Sequence, residues 1–420
     1  MRFEAVRERT QFAEFCAFPA RLHPRELFVP PLRATLTSWW RGDVPGVDFF
    51  VVRDGSGTVV ARTTLHTDAA LDAKLRGAWS HEPSRRLVPR HTRRTSGQET
   101  CSSSLRFGLT TAQGAYGPAS SASPADTTQG RFQLFGLTEF VDDPAVTRVL
   151  FAGITAAARA AGRTATFGPV ALLPNQSGGV ITSGHDERGF IDSPWNPAYY
   201  AGAYEAHGFR RRFEADTWIC RDLQRPELDA DAVFPFDDAR LGAEDLAIHH
   251  GRPRHLDRQL PLLRTMLNAS FAQLGYYTPI DTMQLRRQTD GLAWLLDPAL
   301  LLYLTKAHRP IAFVLVLPDI SSFVRAVEGD LGPLQRLRLL VTRHRYRREA
   351  VLVVKGTVPE AQGRGYMRLL SRELLRNLRA RGYTTLRSTF VERDNPGSAA
   401  QYTAMGGRPL HGLTFYEGPA

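Results

Sequence analysis

The sequence is poor in cysteine, lysine and long apolar runs, and each scarcity excludes something. Cys16, Cys101 and Cys220 are the only cysteines among 420 residues, and they stand far apart. They supply neither a disulfide framework nor a paired-cysteine metal clip, and they suit a reducing compartment. His249, His250 and His255 lie close together, but no further ligand pair follows at zinc spacing, so no metal is expected. The longest apolar stretch, around Leu292 to Leu304, is broken by Asp297-Pro298 and falls short of a membrane span. Met1-Arg2-Phe3-Glu4 mixes charge with no apolar leader core, which makes a cytoplasmic location the expectation. No Gly-x-Ser-x-Gly elbow or Walker loop occurs, so serine-hydrolase and P-loop chemistry are set aside.

Lys74, Lys306 and Lys355 are the only lysines, so arginine carries nearly all of the basic charge behind a formal net charge of +11. Such a skew fits GC-rich coding as well as phosphate recognition, and an anionic small molecule is an adequate partner. Seven arginines against three acidic residues fall within 76–130, a stretch rich in Ser, Thr, Gly and Pro. It has too few clustered apolar residues to offset its ordering entropy and reads as a disordered insertion. At 43% apolar and 23% charged residues the rest is globular, and its length calls for two domains. Pro226, Pro235 and an acidic run between Asp222 and Phe236 interrupt the pattern, giving an N-terminal domain over 1–225 and a C-terminal one over 236–420.

The hydrophobic periods outline a mixed α/β chain. Asp48–Val52 and Thr58–Leu65 flank Asp54-Gly55-Ser56-Gly57 as a hairpin. Asp142-Asp143-Pro144 starts a helix over Ala145–Ala161, and Thr164–Phe167 follows as a strand. Further helices are expected over Leu256–Phe271, Thr282–Leu292 and Leu331–Arg348, with strands over Glu244–His250, Leu300–Thr305 and Ile311–Leu317. A short strand, Thr414–Glu417, closes the chain.

The most informative segment joins the strand Ala350–Val354 to a helix with Met367, Leu370, Leu374 and Leu378 on one face and Gly382 beyond its end. Between them stands Thr357-Val358-Pro359-Glu360-Ala361-Gln362-Gly363-Arg364-Gly365-Tyr366. Glycines there let backbone amides turn toward one point, the helix dipole adds positive potential, and Arg364 adds a full charge. Such a turn suits a pyrophosphate. A second strand, Thr384–Val391, precedes Asn395-Pro396 and a helix ending Tyr402-x-x-x-Gly406. Trp195-Asn196-Pro197-Ala198-Tyr199-Tyr200, followed by Tyr204-x-x-x-Gly208, repeats the closing pattern about two hundred residues earlier. The aromatic run there either lines a substrate pocket or plugs the sheet.

This order of strand, glycine loop, helix, strand and Asn…Tyr…Gly resembles the GNAT acyltransferase superfamily, and the whole chain is similar to bacterial tandem GNAT-like proteins. The resemblance implies an acyl-CoA co-substrate gripped by Gln362, Gly363, Arg364, Gly365, Tyr366 and Met367, with Met367 where a small residue is usual. It also implies an oxyanion hole of backbone amides at Thr357 and Val358, Asn395 beside the cofactor, and Tyr402 as proton donor to the departing thiolate. An amine must lose a proton before attack, and Glu392 is the candidate general base. Lys355 stands on the strand where relatives often place a glutamate. In the first half the corresponding turn, Val141-Asp142-Asp143-Pro144, opposes an anion with two carboxylates, so only the second half is expected to bind CoA. The leading reading is an N-acyltransferase acting on a small-molecule or peptide amine. Two others stay open: an aminoacyl-tRNA-dependent transferase and an inert CoA-binding scaffold.

Overall fold

Parallel neighbouring strands need a crossover connection, and this chain has two of them, each carried by one amphipathic helix. The computed structural model describes residues 1–80, 130–171, 178–252, 255–289 and 295–420. Residues 81–129 of the expected insertion and the end of the helix expected over 282–292 lie outside the described residues.

The first half runs β1 (Arg2–Ala5), α1 (Arg9–Leu22), α2 (Arg33–Trp40), β2 (Asp48–Arg53), β3 (Val59–His66) and α3 (Ala69–Ser80). Residues 76–80 thus close a helix, where composition alone implied disorder. Then come β4 (Phe132–Phe140), α4 (Pro144–Ala160), β5 (Ala165–Gly168), β6 (Val180–Ser183), α5 (Tyr199–Ala206) and β7 (Arg210–Cys220). The second half begins with α6 (Ala230–Val233), α7 (Ala239–Ala243), β8 (Leu246–His250), α8 (Leu256–Phe271) and α9 (Thr282–Thr289). It continues through β9 (Leu301–Lys306), β10 (Arg309–Pro318), α10 (Ser321–Ala326), α11 (Pro333–Thr342) and β11 (Glu349–Thr357). It ends with α12 (Tyr366–Ala380), β12 (Thr385–Glu392), α13 (Pro396–Ala404) and β13 (Arg408–Pro419).

The thirteen strands share one mixed sheet in the order β1-β2-β3-β4-β5-β13-β7-β12-β11-β10-β9-β8, with β6 also beside β13. The parallel pairs are β4–β5 and β11–β12; the other pairings are antiparallel. Helix α12 buries Leu369, Leu370, Leu374, Leu375 and Leu378 against the sheet, each contributing about 2 kcal/mol through removal from water. Helix α4 does the same with Val146, Leu150 and Ile154, and Asp143 caps it by accepting from the Ala145 amide at 2.7 Å. Tyr204 and Tyr402 are both buried, and Gly208 and Gly406 take φ of +82° and +75°, so the two closing helices end alike.

The centre of the sheet crosses the halves. β7 leaves the first half and pairs with β12, from Leu386↔Cys220 to Glu392↔Ala215. β13 returns from the far end and pairs with β5, from Tyr416↔Gly168 to Pro419↔Ala165. The two then pair with each other. Side chains reinforce the exchange: Arg188 donates to Asp319 at 3.0 Å and Glu349 at 2.7 Å, and Arg387 reaches the same carboxylates at 3.1 and 2.6 Å. Both arginines hold the Asp319 carboxyl below its ordinary range against the opposing effect of burial.

This exchange predicts that residues 1–225 expressed alone lack a neighbour for β5 and give no cooperative melt, whereas mixing them with 226–420 restores a single transition. A sharp melt from 1–225 by itself would contradict the exchange.

Candidate functional site

Pairing between β11 and β12 stops at Leu352↔Ser388, and beyond it the two strands diverge. On its other side β11 stays paired with β10 up to Ala312↔Thr357, with Val353 bulged out of register. The Val358 amide donates to the Ile311 carbonyl at 2.9 Å, which fixes the alternation of this antiparallel ladder. The amides of Lys355 and Thr357 consequently face the gap that β12 has left. Val358 was expected to share an oxyanion hole; its amide is already engaged, so the donors available are those of Lys355 and Thr357. Helix α8 covers this stretch closely, for a Cβ added to Gly356 would lie 2.8 Å from Ser270.

The gap opens into a cavity of about 1950 Å³ that also receives the glycine turn. Gly363 and Gly365 adopt φ of +74° and +78°, the left-handed region that glycine enters without strain. No atom lies within 4 Å of an ideal Cβ at either, so the space before the first turn of α12 is open. Met367 does not obstruct it, because its side chain packs toward the core under α12. Arg364 and Arg368 are exposed on either side. Gln362 donates from Nε2 to the Thr357 carbonyl at 3.1 Å and so ties the turn to the strand.

Tyr366, expected to touch the cofactor, borders the cavity at the first residue of α12, but its side chain turns to the far side of the turn. The ring is buried, and the hydroxyl donates to Glu244 and accepts from Lys306 Nζ at 3.1 Å. Arg240 joins the same cluster through Glu244 at 2.6 Å and donates to the Arg364 carbonyl at 3.2 Å. Three hydrogen bonds, from Arg240, Tyr366 and Lys306, bring the Glu244 carboxyl down to about 2. The tyrosine anchors the turn from behind. Asn395 likewise serves first as a helix cap, accepting from the Ser398 amide at 3.1 Å, although it borders the cavity.

Tyr402 and Glu392 both border the cavity but lie on opposite faces of the sheet. On the α12 side, Tyr402 is buried with its hydroxyl against Ser388, the last residue of β12 paired with β11. Burial raises its phenol well above the ordinary range, so it keeps its proton. Lys355 Nζ sits 4.3 Å from the centre of that ring and donates to Gln401 at 2.9 Å. Desolvation brings this lysine from its ordinary 10.5 down to about 7. On the α8 side, burial raises the Glu392 carboxyl above its ordinary value while Tyr276 hydrogen-bonds to it. The sequence marked Lys355 only as standing where relatives often place a glutamate, and it did not place Lys306 near the glycine turn. For Lys355 the available signal was its chemistry: an arginine-rich chain retains a lysine beside the cavity, where lysine can shed its charge and arginine cannot.

No family model matches the chain. Protein YghO of Escherichia coli is 23% identical over 290 residues, covering 67% of this chain and 73% of that one. A bacterial ceramide synthase of Caulobacter vibrioides is 24% identical over 218 residues, covering 51% of this chain and 55% of that protein. Among solved structures, a tandem GNAT protein from the clavulanic acid biosynthesis pathway superposes with a TM-score of 0.52 at 13% identity, over 99% of this chain and 98% of the other. The fold is tandem GNAT-like. The resemblance expected from the glycine turn and the Asn395–Gly406 segment is therefore met at the level of architecture.

The GNAT-like first half has the same divergence after Leu134↔Phe167, but there it is filled. The Val170 amide donates across it to the Phe135 carbonyl at 2.8 Å. Further along β4, the Tyr200 hydroxyl accepts from the Phe140 amide at 2.9 Å and the Tyr199 hydroxyl donates to the Phe140 carbonyl at 2.6 Å. The aromatic run thus plugs the sheet, the second of its two sequence readings. Among the described residues no cluster able to hold a metal occurs, and no helix is long and apolar enough to cross a membrane.

Lys355 also yields a stability prediction. Its proton affinity is depressed in the folded chain, so its cost is full below about pH 7 and fades as pH rises toward 10.5. Lys355→Met should raise the melting temperature most at pH 6 and progressively less above pH 8. Equal gains at pH 6 and pH 10 would show that desolvation is not the cause.

Proposed function

We propose that the chain transfers an acyl group from a CoA thioester to an amine, and that both substrates carry long apolar chains. The observation that carries this reading is one cavity holding the two unpaired amides of Lys355 and Thr357 together with the open helix start at Gly365. The amides suit an extended, amide-bearing arm running along β11 as a further strand would, and the helix start suits its pyrophosphate. The second half then forms the catalytic domain and the plugged first half a structural one. Beyond the amides, Leu263, Leu267, Phe271, Tyr276, Leu301 and Phe313 make the cavity wall apolar. The relative named a bacterial ceramide synthase favours the same substrate class, a ceramide being the fatty amide of a long-chain amine.

In the proposed reaction the amine nitrogen attacks the thioester carbonyl directly. The C–N bond forms, the C–S bond breaks, and the carbonyl oxygen is stabilised by the strand amides as charge develops. Glu392, kept basic by burial, takes the proton from the amine on the α8 side. Tyr402 gives a proton to the thiolate on the α12 side, with Lys355 against its ring. The sheet itself separates acid from base, so they need not compete for one proton.

The test is release of free CoA thiol from acetyl- and long-chain acyl-CoAs in the presence of single- and long-chain amines, with calorimetry for binding. Long chains should be preferred on both sides. Gly365→Glu should abolish binding, since it adds a carboxylate to the anion site and forces a side chain into positive φ. Tyr402→Phe should lower kcat by about 10² or more with KM for acyl-CoA little changed. No binding of any acyl-CoA to the parent chain would end the reading, and unchanged turnover in Tyr402→Phe would remove the tyrosine from it.

A further inference from the structure

Helix α11 is amphipathic the wrong way round for a helix packed on a core. Leu339 faces inward and is fully buried. On the opposite side Leu334, Leu337, Leu340 and Val341 are exposed at 74%, 58%, 41% and 70%. At ~100° per residue these four cover an outward stripe about 120° wide, flanked by Arg336 on one edge and Arg338 on the other. The turn that follows, Arg343–Tyr346, adds exposed Arg343, His344 and Arg345, and Arg348 lies just beyond. Among the described residues none of these arginines is paired with a carboxylate, whereas Arg188, Arg240, Arg372 and Arg387 all are. Leu331, just before the helix, and Arg336, in its first turn, border the cavity that holds the glycine turn.

We propose that α11 and the arginine turn after it form a docking surface for an anionic lipid bilayer, with the helix lying in the interfacial plane. An apolar stripe bordered by cations is what such an interface accepts: side chains enter the acyl boundary while arginines meet anionic headgroups. A second copy of the chain is a poorer occupant, because a two-fold contact would set one arginine cluster against the other. The location adds a consequence. The part of the cavity wall formed by Leu331 and Arg336 would then lie beside the bilayer, which shortens the path of an apolar substrate between membrane and protein. The surface stands on α11 alone, and vesicle binding is measured without any turnover, so its failure is separate from failure of the acyl-transfer reading.

The test is co-sedimentation of the full chain with phosphatidylcholine vesicles, with and without phosphatidylglycerol. Binding is expected only with phosphatidylglycerol and should weaken as salt rises. The double variant Leu337→Asp/Val341→Asp should lower the partition coefficient by about a hundredfold, roughly tenfold for each apolar side chain lost. Arg343→Gln/Arg345→Gln should lower it by about tenfold or more through lost headgroup attraction. All four positions are exposed, so melting temperatures should stay within a degree or two of the parent. The proposal is overturned if the parent fails to bind phosphatidylglycerol vesicles, or if neither double variant weakens binding. It is also overturned if light scattering finds a dimer that Leu337→Asp/Val341→Asp dissociates, which would make the stripe a subunit contact.

Discussion

The antiparallel pair β7–β13 is the constraint on which the rest of the structure depends. Each strand belongs by sequence to one half and completes the other, so neither half has a whole sheet without its partner. The pair also fixes where the site can be. β12 is held on its outer side by β7 and on its inner side by β11, and it can serve both only as far as Ser388. A shift in the β12–β7 register between Ser388 and Val391 marks the point where β12 follows β7 and abandons β11. The cleft at the candidate site opens where this shift in β12 meets the bulge at Val353 in β11.

The same geometry arises twice, and its two outcomes show how a sheet manages unpaired backbone. Exposed strand groups inside a domain must be satisfied by something. In the first half the protein supplies the partners itself, through the Val170 amide and the hydroxyls of Tyr199 and Tyr200. In the second half the amides of Lys355 and Thr357 look into a cavity, and only the carbonyls nearby are met, by Gln362 and by Thr389 at 2.7 Å from the Val353 oxygen. Asp143, which caps α4, and Gly365, which opens α12, repeat the contrast at the two helix starts. One start carries its own carboxylate; the other has no side-chain cap.

Much of this was legible in the sequence where the signal is local. Leucines at helical spacing in α12, the glycine turn and the N-cap and proline of α4 are short-range features, and the structure has each within a residue or two of its expected place. What escaped were features made by distant neighbours. β7 opens with Arg210-Arg211-Arg212 and carries Glu214 and Asp216, and no strand was expected there. Its buried positions, Ala215, Thr217, Ile219 and Cys220, gain their apolar surroundings only from strands at the far end of the chain. β13, expected as four residues, runs for twelve because Pro409, Gly412 and Gly418 break the pattern without breaking the pairing. Tyr366 and Asn395 were found as residues but not as roles: one anchors through Glu244 and the other caps a helix, partners that spacing alone does not reveal.

Charge placement explains why the open helix start stays poised for an anion. The net charge of +11 is distributed unevenly in its effect. Interior arginines such as Arg387 and Arg372 are neutralised by carboxylates and contribute cohesion. Behind the glycine turn the cations Arg240 and Lys306 share one carboxylate, Glu244, and Arg240 also holds the turn through the Arg364 carbonyl. In front of it Arg364 and Arg368 stand exposed beside the first amides of α12. The turn is thus fixed from one side by an ion-paired cluster, while on the other Arg364 and Arg368 add positive potential at the helix start. Removing Glu244 would disturb both properties at once, freeing two cations behind the turn and loosening the tyrosine that holds it. On the proposed reading, the carboxylate that faces away from the cavity specifies the site as much as the amides that face it.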